Sequence, residues 1–286
     1  MADSTGMADL RAENVSKIVT GFALQEYRFK SLCMQKKSNS WKESYHVETA
    51  ADLTASGTGS SVRGTPRLAK FKYGEVSWTE SSARLEKFAM EGVISWEDAV
   101  TNEIDVIART LLRVGRAVAK AVDDQIYSVV RQATNSVAIT AGYEWDSTTL
   151  ANRDPIQNIL DAIKEIQTDN YDPYKNGFLL LSPKDFANLM GNANVRNAGQ
   201  FWTSDVTKNG RVGRILGLTI VVSPSVTADE ALVIIAKEAA TWQEASGLKV
   251  ETITDPGIKY TIRAWEVGVC QLNNPNAVCR IENTQK

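Results

Sequence analysis

Histidine is almost missing from this chain. Its 286 residues include one, His46. A single imidazole cannot supply the two or three that the usual metal sets require, and no Ser or Cys is flanked by a recognisable catalytic partner motif. The three cysteines, Cys33, Cys270 and Cys279, form no CxxC spacing and read as reduced, packed thiols. No apolar run approaches the ~20 residues of a membrane span. The start, Met1 to Gly6, lacks both the basic and the apolar part of a signal peptide, so the expected compartment is the cytoplasm. Charge of one sign is also lacking: 32 basic against 34 acidic side chains leave a net charge of −2. A dedicated nucleic-acid binder carries a basic excess, so any such contact must come from a local patch.

Two further features suggest chemistry and then fail to support it. The Gly-rich stretch Gly57 to Gly64 lacks the terminal Lys-[Ser/Thr] of a phosphate loop, and no helix follows it. Glu103 with Asp105, and Asp123 with Asp124, lie on a helical pattern whose geometry points neighbours apart, so they read as a solvated helix face. No catalytic residue, metal ligand or cofactor is expected.

What the chain does have is reach. Residues 1 to about 40 begin polar. Leu10, Val15, Ile18, Val19 and Phe22 then follow at near-helical spacing, interrupted by Gly21, and Tyr27 to Ser40 is basic with no core pattern. Such a segment suits an arm lying on a neighbour, or a frayed terminus. Alternation at Trp41, Tyr45, Val47 and Thr49, and again at Ala69, Phe71, Tyr73, Val76 and Trp78, predicts a hairpin with a small, polar tip at 51–64. A phase slip at Gly74-Glu75 suits a bulge, and a further alternating stretch runs on to Ile94. A two-stranded ribbon is marginal by itself in water, so another surface must support it.

Ser95-Trp96-Glu97-Asp98 reads as a helix start. Apolar residues from Val100 through Ile107, Leu111, Val118 and Ile126 to Ala133 predict one long spine helix, about 55–60 Å at about 1.5 Å per residue. Arg109, Arg113, Arg116 and Lys120 fall within about 40° of the direction opposite Leu111, making a basic stripe opposed to the apolar one. It either faces DNA phosphates or pairs with acids of the arm, the hairpin or a neighbour. Beyond it, Asp154-Pro155 and Ser182-Pro183 open helices. Strands are expected at 178–181, 215–222 and 232–235, at 248–254 with 259–269 across Asp255-Pro256-Gly257, and after Asn274-Pro275.

That order of parts resembles the major capsid protein fold of tailed bacteriophages, shared by encapsulins and the herpesvirus capsid floor. The local sequence carries the resemblance. Phe178 to Leu189, with its Ser182-Pro183 helix, and Asn209 to Ser223, a Gly-punctuated strand ending in Ser, look like the axial domain of these proteins. Arg263 to Val269 with Asn274 to Val278 looks like their closing strands.

The resemblance implies an α+β chain in four regions: an N-terminal arm (1–40), an extended β-hairpin loop (41–93), a peripheral domain with the spine helix (94–150 and 257–286), and an axial domain (151–256). It implies self-assembly into pentamers and hexamers of an icosahedral shell around double-stranded DNA, made in the host cytoplasm and ending in the virion capsid, with no membrane. A portal, a decoration protein and a separate scaffolding protein are the implied partners, since the chain starts almost directly at the arm. Arg63, Lys70, Lys72 and Trp78 on the loop, with Arg109, Arg113, Arg116 and Lys120 on the spine, are the candidate intersubunit or DNA-facing residues. Some relatives crosslink a loop Lys to an Asn, but no motif here identifies that pair. An encapsulin-type compartment and, more distantly, an unrelated cytosolic enzyme are the alternatives.

Overall fold

The apolar three-and-four spacing forms helix α3, Val106–Val130, in which Ile107, Leu111, Val114, Val118, Val122 and Ile126 are all buried. The computed structural model of the protein describes residues 12–48, 54–55, 64–71, 74–75, 78–101, 106–193, 195 and 213–286. The expected single helix from Ser95 to Ala133 is described as α2, Trp96–Thr101, and α3, with 102–105 (and so Glu103 and Asp105) outside the described residues. Ser95 caps it as its sequence implies, its Oγ accepting from the Asp98 N–H at 3.0 Å. The far end stops at Val130, short of Ala133, because Asn135–Ala138 is drawn into a strand, β7.

The chain forms two compact units. The first contains residues 1–43, 82–129 and 241–271. Its four-stranded sheet runs β1 (Met34–Lys37), β12 (Ala240–Asp255), β13 (Lys259–Leu272), β6 (Glu86–Ser95). β1 pairs parallel with β12, and β6 pairs antiparallel with β13 over ten residues, from Ser95 opposite Lys259 to Glu86 opposite Gly268. Helix α1, Ala12–Glu26, buries Val15, Val19 and Ala23 completely, and Val15 and Val19 join the cluster formed by Ile94, Leu111, Val114, Val118 and Ile262. The expectation that 12–26 lies on a neighbour or frays is therefore corrected: it packs on α3 of the same chain.

Two glycines make that packing possible. A Cβ on Gly115 of α3 would lie 3.1 Å from the Val19 carbonyl oxygen, so α1 approaches α3 at its backbone. A Cβ on Gly92 of β6 would lie 2.6 Å from Thr110 Cγ2 and 2.8 Å from Val114 Cγ2, closer than such atoms can sit. α3 thus rests against the sheet on one side and α1 on another.

The second unit contains residues 44–81, 130–240 and 272–286. Its six-stranded sheet runs β7, β14 (Val278–Glu282), β11 (Glu230–Ile235), β8 (Gly177–Leu181), β10 (Leu218–Val222), β9 (Arg214–Ile215). It is mixed: β8–β10 and β7–β14 are parallel, the other pairs antiparallel. Helix α4, Pro155–Thr168, lays Ile159, Ala162, Ile163 and Ile166 into the core; Asp154 caps it. A short α5, Pro173–Asn176, precedes β8, and Ser182 caps α6, Pro183–Gly191, accepting from the Asp185 N–H at 3.1 Å. The strand expected over 215–222 is instead a tight hairpin. Leu216 (φ 49°) and Gly217 (φ 81°) both take left-handed backbone, as a two-residue I′-type turn demands, and reverse the chain between β9 and β10.

These contacts separate two glycine substitutions that look alike in sequence. Gly92→Ala should cost about 1–3 kcal/mol by overpacking against Thr110 and Val114. Gly21→Ala should add about 0.5–1 kcal/mol, because its Cβ would meet nothing within 4 Å and the residue lies within α1. Denaturant unfolding of the two variants against the parent checks both signs.

Candidate assembly surfaces

The hairpin is formed by β2 (Lys42–Glu48) with β5 (Trp78–Arg84) and, further out, by β3 (Thr54–Ala55) with β4 (Gly74–Glu75). The return limb was expected from Ala69 onward, but residues 69–71 are not strand. β6, expected as a continuation of the loop, belongs to the four-stranded sheet, and buried Leu85 marks the transition, its N–H donating to the Trp41 carbonyl at 3.1 Å. Within the second unit, Glu48 ties down the outer end of β2: its N–H donates to the Asn273 carbonyl at 2.9 Å and its carboxylate accepts from the Tyr171 hydroxyl at 3.0 Å. The hairpin shows water large side chains from its inner end to its outer turn. Trp41, Leu68, Phe71 and Trp78 are all exposed. His46 is exposed on β2, its ring 6.2 Å from that of Trp78 and tilted 38° to it.

Of the expected loop residues, Lys70 and Trp78 are exposed, while Arg63 and Lys72 lie outside the described residues. Arg109, Arg113, Arg116 and Lys120 are all exposed on α3, opposite its buried stripe. Arg116 reaches the arm: its Nε lies 2.7 Å from Glu26 Oε1. Arg116 is largely in water and Glu26 partly so, and a pair this exposed contributes at most about 1 kcal/mol. Arg109, Arg113 and Lys120 form no ion pair among the described residues.

A charged cluster escaped the sequence reading altogether. The segment from Tyr27 to Cys33, read as basic and without a core, is clamped inside the first unit. Lys30 Nζ lies 2.5 Å from Glu266 Oε1 and 2.9 Å from Glu244 Oε2, and 5.1 Å from the centroid of the Tyr27 ring. The Tyr27 hydroxyl donates to the other oxygen of Glu266, a carboxylate with no exposed surface. Burial would lower the Lys30 pKa, but its hydrogen bonds and charge contacts with Glu266 and Glu244 outweigh that and raise it. Burial, followed by the Glu266 charge, drives the Tyr27 hydroxyl well above its usual range. Asp123 completes the clamp from α3, accepting the N–H of Arg28 at 2.9 Å and of Phe29 at 3.1 Å. The reading of Asp123 as solvated is corrected: it is buried, while Asp124 beside it is exposed. The only available signal was its position, one residue beyond Val122 and so near the apolar stripe.

Burial raises Asp123 to about 6 from its ordinary 3.8, against the two backbone donors that favour its charged form. As pH falls through about 6 the folded chain takes up this proton before the unfolded chain does. Asp123 therefore adds stability as pH falls from about 6 towards 4, and this contribution is lost as pH rises back through 6. Carboxyl NMR should place its midpoint near 6. In Asp123→Asn that component of the pH dependence between 4 and 6 should vanish, with about 1 kcal/mol lost at low pH for the donor left without an acceptor. An unchanged slope would refute the assignment.

Among the described residues no group of three or more His, Cys, Asp or Glu side chains could hold a metal ion. The arrangement offers surfaces for binding, and solved structures of similar fold match it. The virus-like particle from Pyrococcus furiosus superposes with a TM-score of 0.63 at 10% identity, covering 95% of this chain and 99% of that one. The capsid of cyanophage P-SCSP1u gives 0.66 at 16% identity, covering 90% and 88%, and a solved structure of Mycobacterium phage Che8 gives 0.63 at 17%, covering 91% and 92%. At such identities the likeness concerns the fold: an α+β chain with a long helix and mixed sheets. Residues 78–281, more than half of the sequence, match the profile of the phage capsid protein family, and the chain belongs to it. Its role is accordingly structural and not enzymatic. No curated protein sequence matches it.

Proposed function

We propose that copies of this chain assemble into pentamers and hexamers of an icosahedral shell enclosing double-stranded DNA. The observation that carries this, in a member of the phage capsid protein family, is the hairpin. Four large apolar side chains, Trp41, Leu68, Phe71 and Trp78, stand exposed along the hairpin and its outer turn. Such surface is costly in a monomer and is what a second copy can bury. The arm (1–40), the extended loop (41–93), the peripheral domain (94–150 with 257–286) and the axial domain (151–256) are the working parts. The loop supplies reach, and the closed lattice makes individually weak contacts multivalent. A separate scaffolding protein, a portal and a decoration protein are the partners such a shell would use, and the virion is where it would end.

The basic stripe divides in two. Arg116 belongs to its own arm through Glu26, which leaves Arg109, Arg113 and Lys120 for the phosphates of packaged DNA or for a neighbouring subunit. The chain, expressed with and without its scaffold, should give shells in negative stain and a large fast-sedimenting species. Monomer or dimer alone under every salt and concentration would sink the proposal. In Arg109→Glu/Arg113→Glu, a DNA-facing stripe predicts intact shells that retain less nuclease-protected DNA. A subunit-bridging stripe predicts that empty shells fail as well.

A further inference from the structure

All three cysteines are free and buried, as packed thiols should be, but they are not alike. Cys279 belongs to the second unit, whereas Cys33 and Cys270 both belong to the first. Their sequence positions give no reason to expect a pair. The clamp around Lys30 supplies one. The segment leaving α1 runs along β13: Lys30 holds Glu266, and three residues further on Cys33 meets Cys270, four residues beyond Glu266. The two thiols are hydrogen-bonding neighbours.

The backbones on both sides of the pair are held in place. Asp123 of α3 accepts the N–H groups of Arg28 and Phe29, and Gln125, two residues along the same helix, accepts the Cys270 N–H at 3.1 Å through its Oε1. Immediately after Cys33 the chain enters β1, with Met34 opposite Thr241 of β12. Helix, segment and sheet therefore converge on the two sulfurs. The hydrogen bond with Cys33, and then burial, drive the Cys270 thiol well above its ordinary range. It stays protonated at neutral pH, which makes it slow to react and keeps the pair open in a reducing compartment.

We propose that Cys33 and Cys270 are a latent disulfide, a covalent modification site that hydrogen peroxide closes and a thiol reductant reopens. One sulfur, as its thiolate, attacks a peroxide oxygen; the O–O bond breaks, hydroxide leaves, and a sulfenic acid is formed. The second sulfur then attacks the first. The S–S bond forms, the S–O bond breaks, and the oxygen leaves as water with the remaining proton. In sum, two thiols lose two electrons and two protons while one peroxide is reduced to two waters. The bond fastens the arm to β13, an interior strand of its sheet, and its long loop restricts the unfolded chain. Both thiols lie in one unit of one chain, so the inference stands or falls apart from the assembly reading.

Full-length reduced chain, freed of reductant, gives the test. Peroxide is added until Met34, exposed beside Cys33, is oxidised to the sulfoxide, which shows that the reagent has acted. Unreduced peptide mapping, with fragmentation to separate Cys270 from Cys279, should find the Cys33 and Cys270 peptides joined and lighter by two hydrogens. The chain should remain a monomer on a non-reducing denaturing gel. Its thermal midpoint should rise by about 5 °C or more and return on reduction. Cys33→Ala and Cys270→Ala should each abolish the joined peptide and the shift, and Cys279→Ala should keep both. Where circular dichroism shows an alanine variant to be unfolded, the peptide map of the parent decides alone. If, with Met34 oxidised, both thiols still alkylate after unfolding, the proposal fails. It fails equally if they carry oxygen without a link, or pair with Cys279 or with another copy.

Discussion

The apolar stripe of α3 can leave water only if both α1 and the β6–β13 strands come close to it, and the first unit is arranged around that requirement. Gly115 lets α1 in at backbone distance, and Gly92 gives room to Thr110 and Val114. With two sides of the helix covered, the remaining side carries the four basic residues. The same packing therefore produces the core and presents the charge. Neither could be altered without the other: a bulkier residue at Gly92 would move the helix on which Arg109 and Arg113 stand.

The clamp around Lys30 is a different kind of restraint. Val15, Val19 and Ala23 bury one face of α1 through apolar contact, which carries no direction of its own. The charged contacts fix position. Asp123 holds two successive backbone N–H groups, and Glu266 holds Lys30 and Tyr27 together. Breaking one member would leave a buried charge without its partner, which costs more than the intact cluster contributes. The arm's exit from α1 into β1 is thereby set in one register.

Local signals in the sequence were good guides wherever they were chemically complete. Asp154-Pro155 and Ser182-Pro183 each combine a side-chain acceptor with a proline that needs no donor, and both open helices as read. The apolar stripe of α3 and the basic stripe opposite Leu111 followed from helical geometry alone. The failures have physical causes. Leu216 gives no turn signal, because leucine rarely takes left-handed backbone, so β9 and β10 read as one strand. The clamp joins Lys30 to a carboxylate 236 residues away, which no local pattern encodes. The core face of α1 was obscured by Gly21 and by the small size of Val15, Val19 and Ala23. Of the candidate contact residues, the six described ones are exposed as surface contacts require, but exposure is a property that partners and solvent share.

β14 lies between β7 and β11 in the middle of the second unit's sheet, although its residues, Val278–Glu282, are among the last in the sequence. In the first unit β13 likewise lies between β12 and β6, more than 160 residues downstream of the latter. Each sheet therefore closes around a strand that follows both of its neighbours in the chain, so both units rest on pairings of high sequence separation, which form slowly.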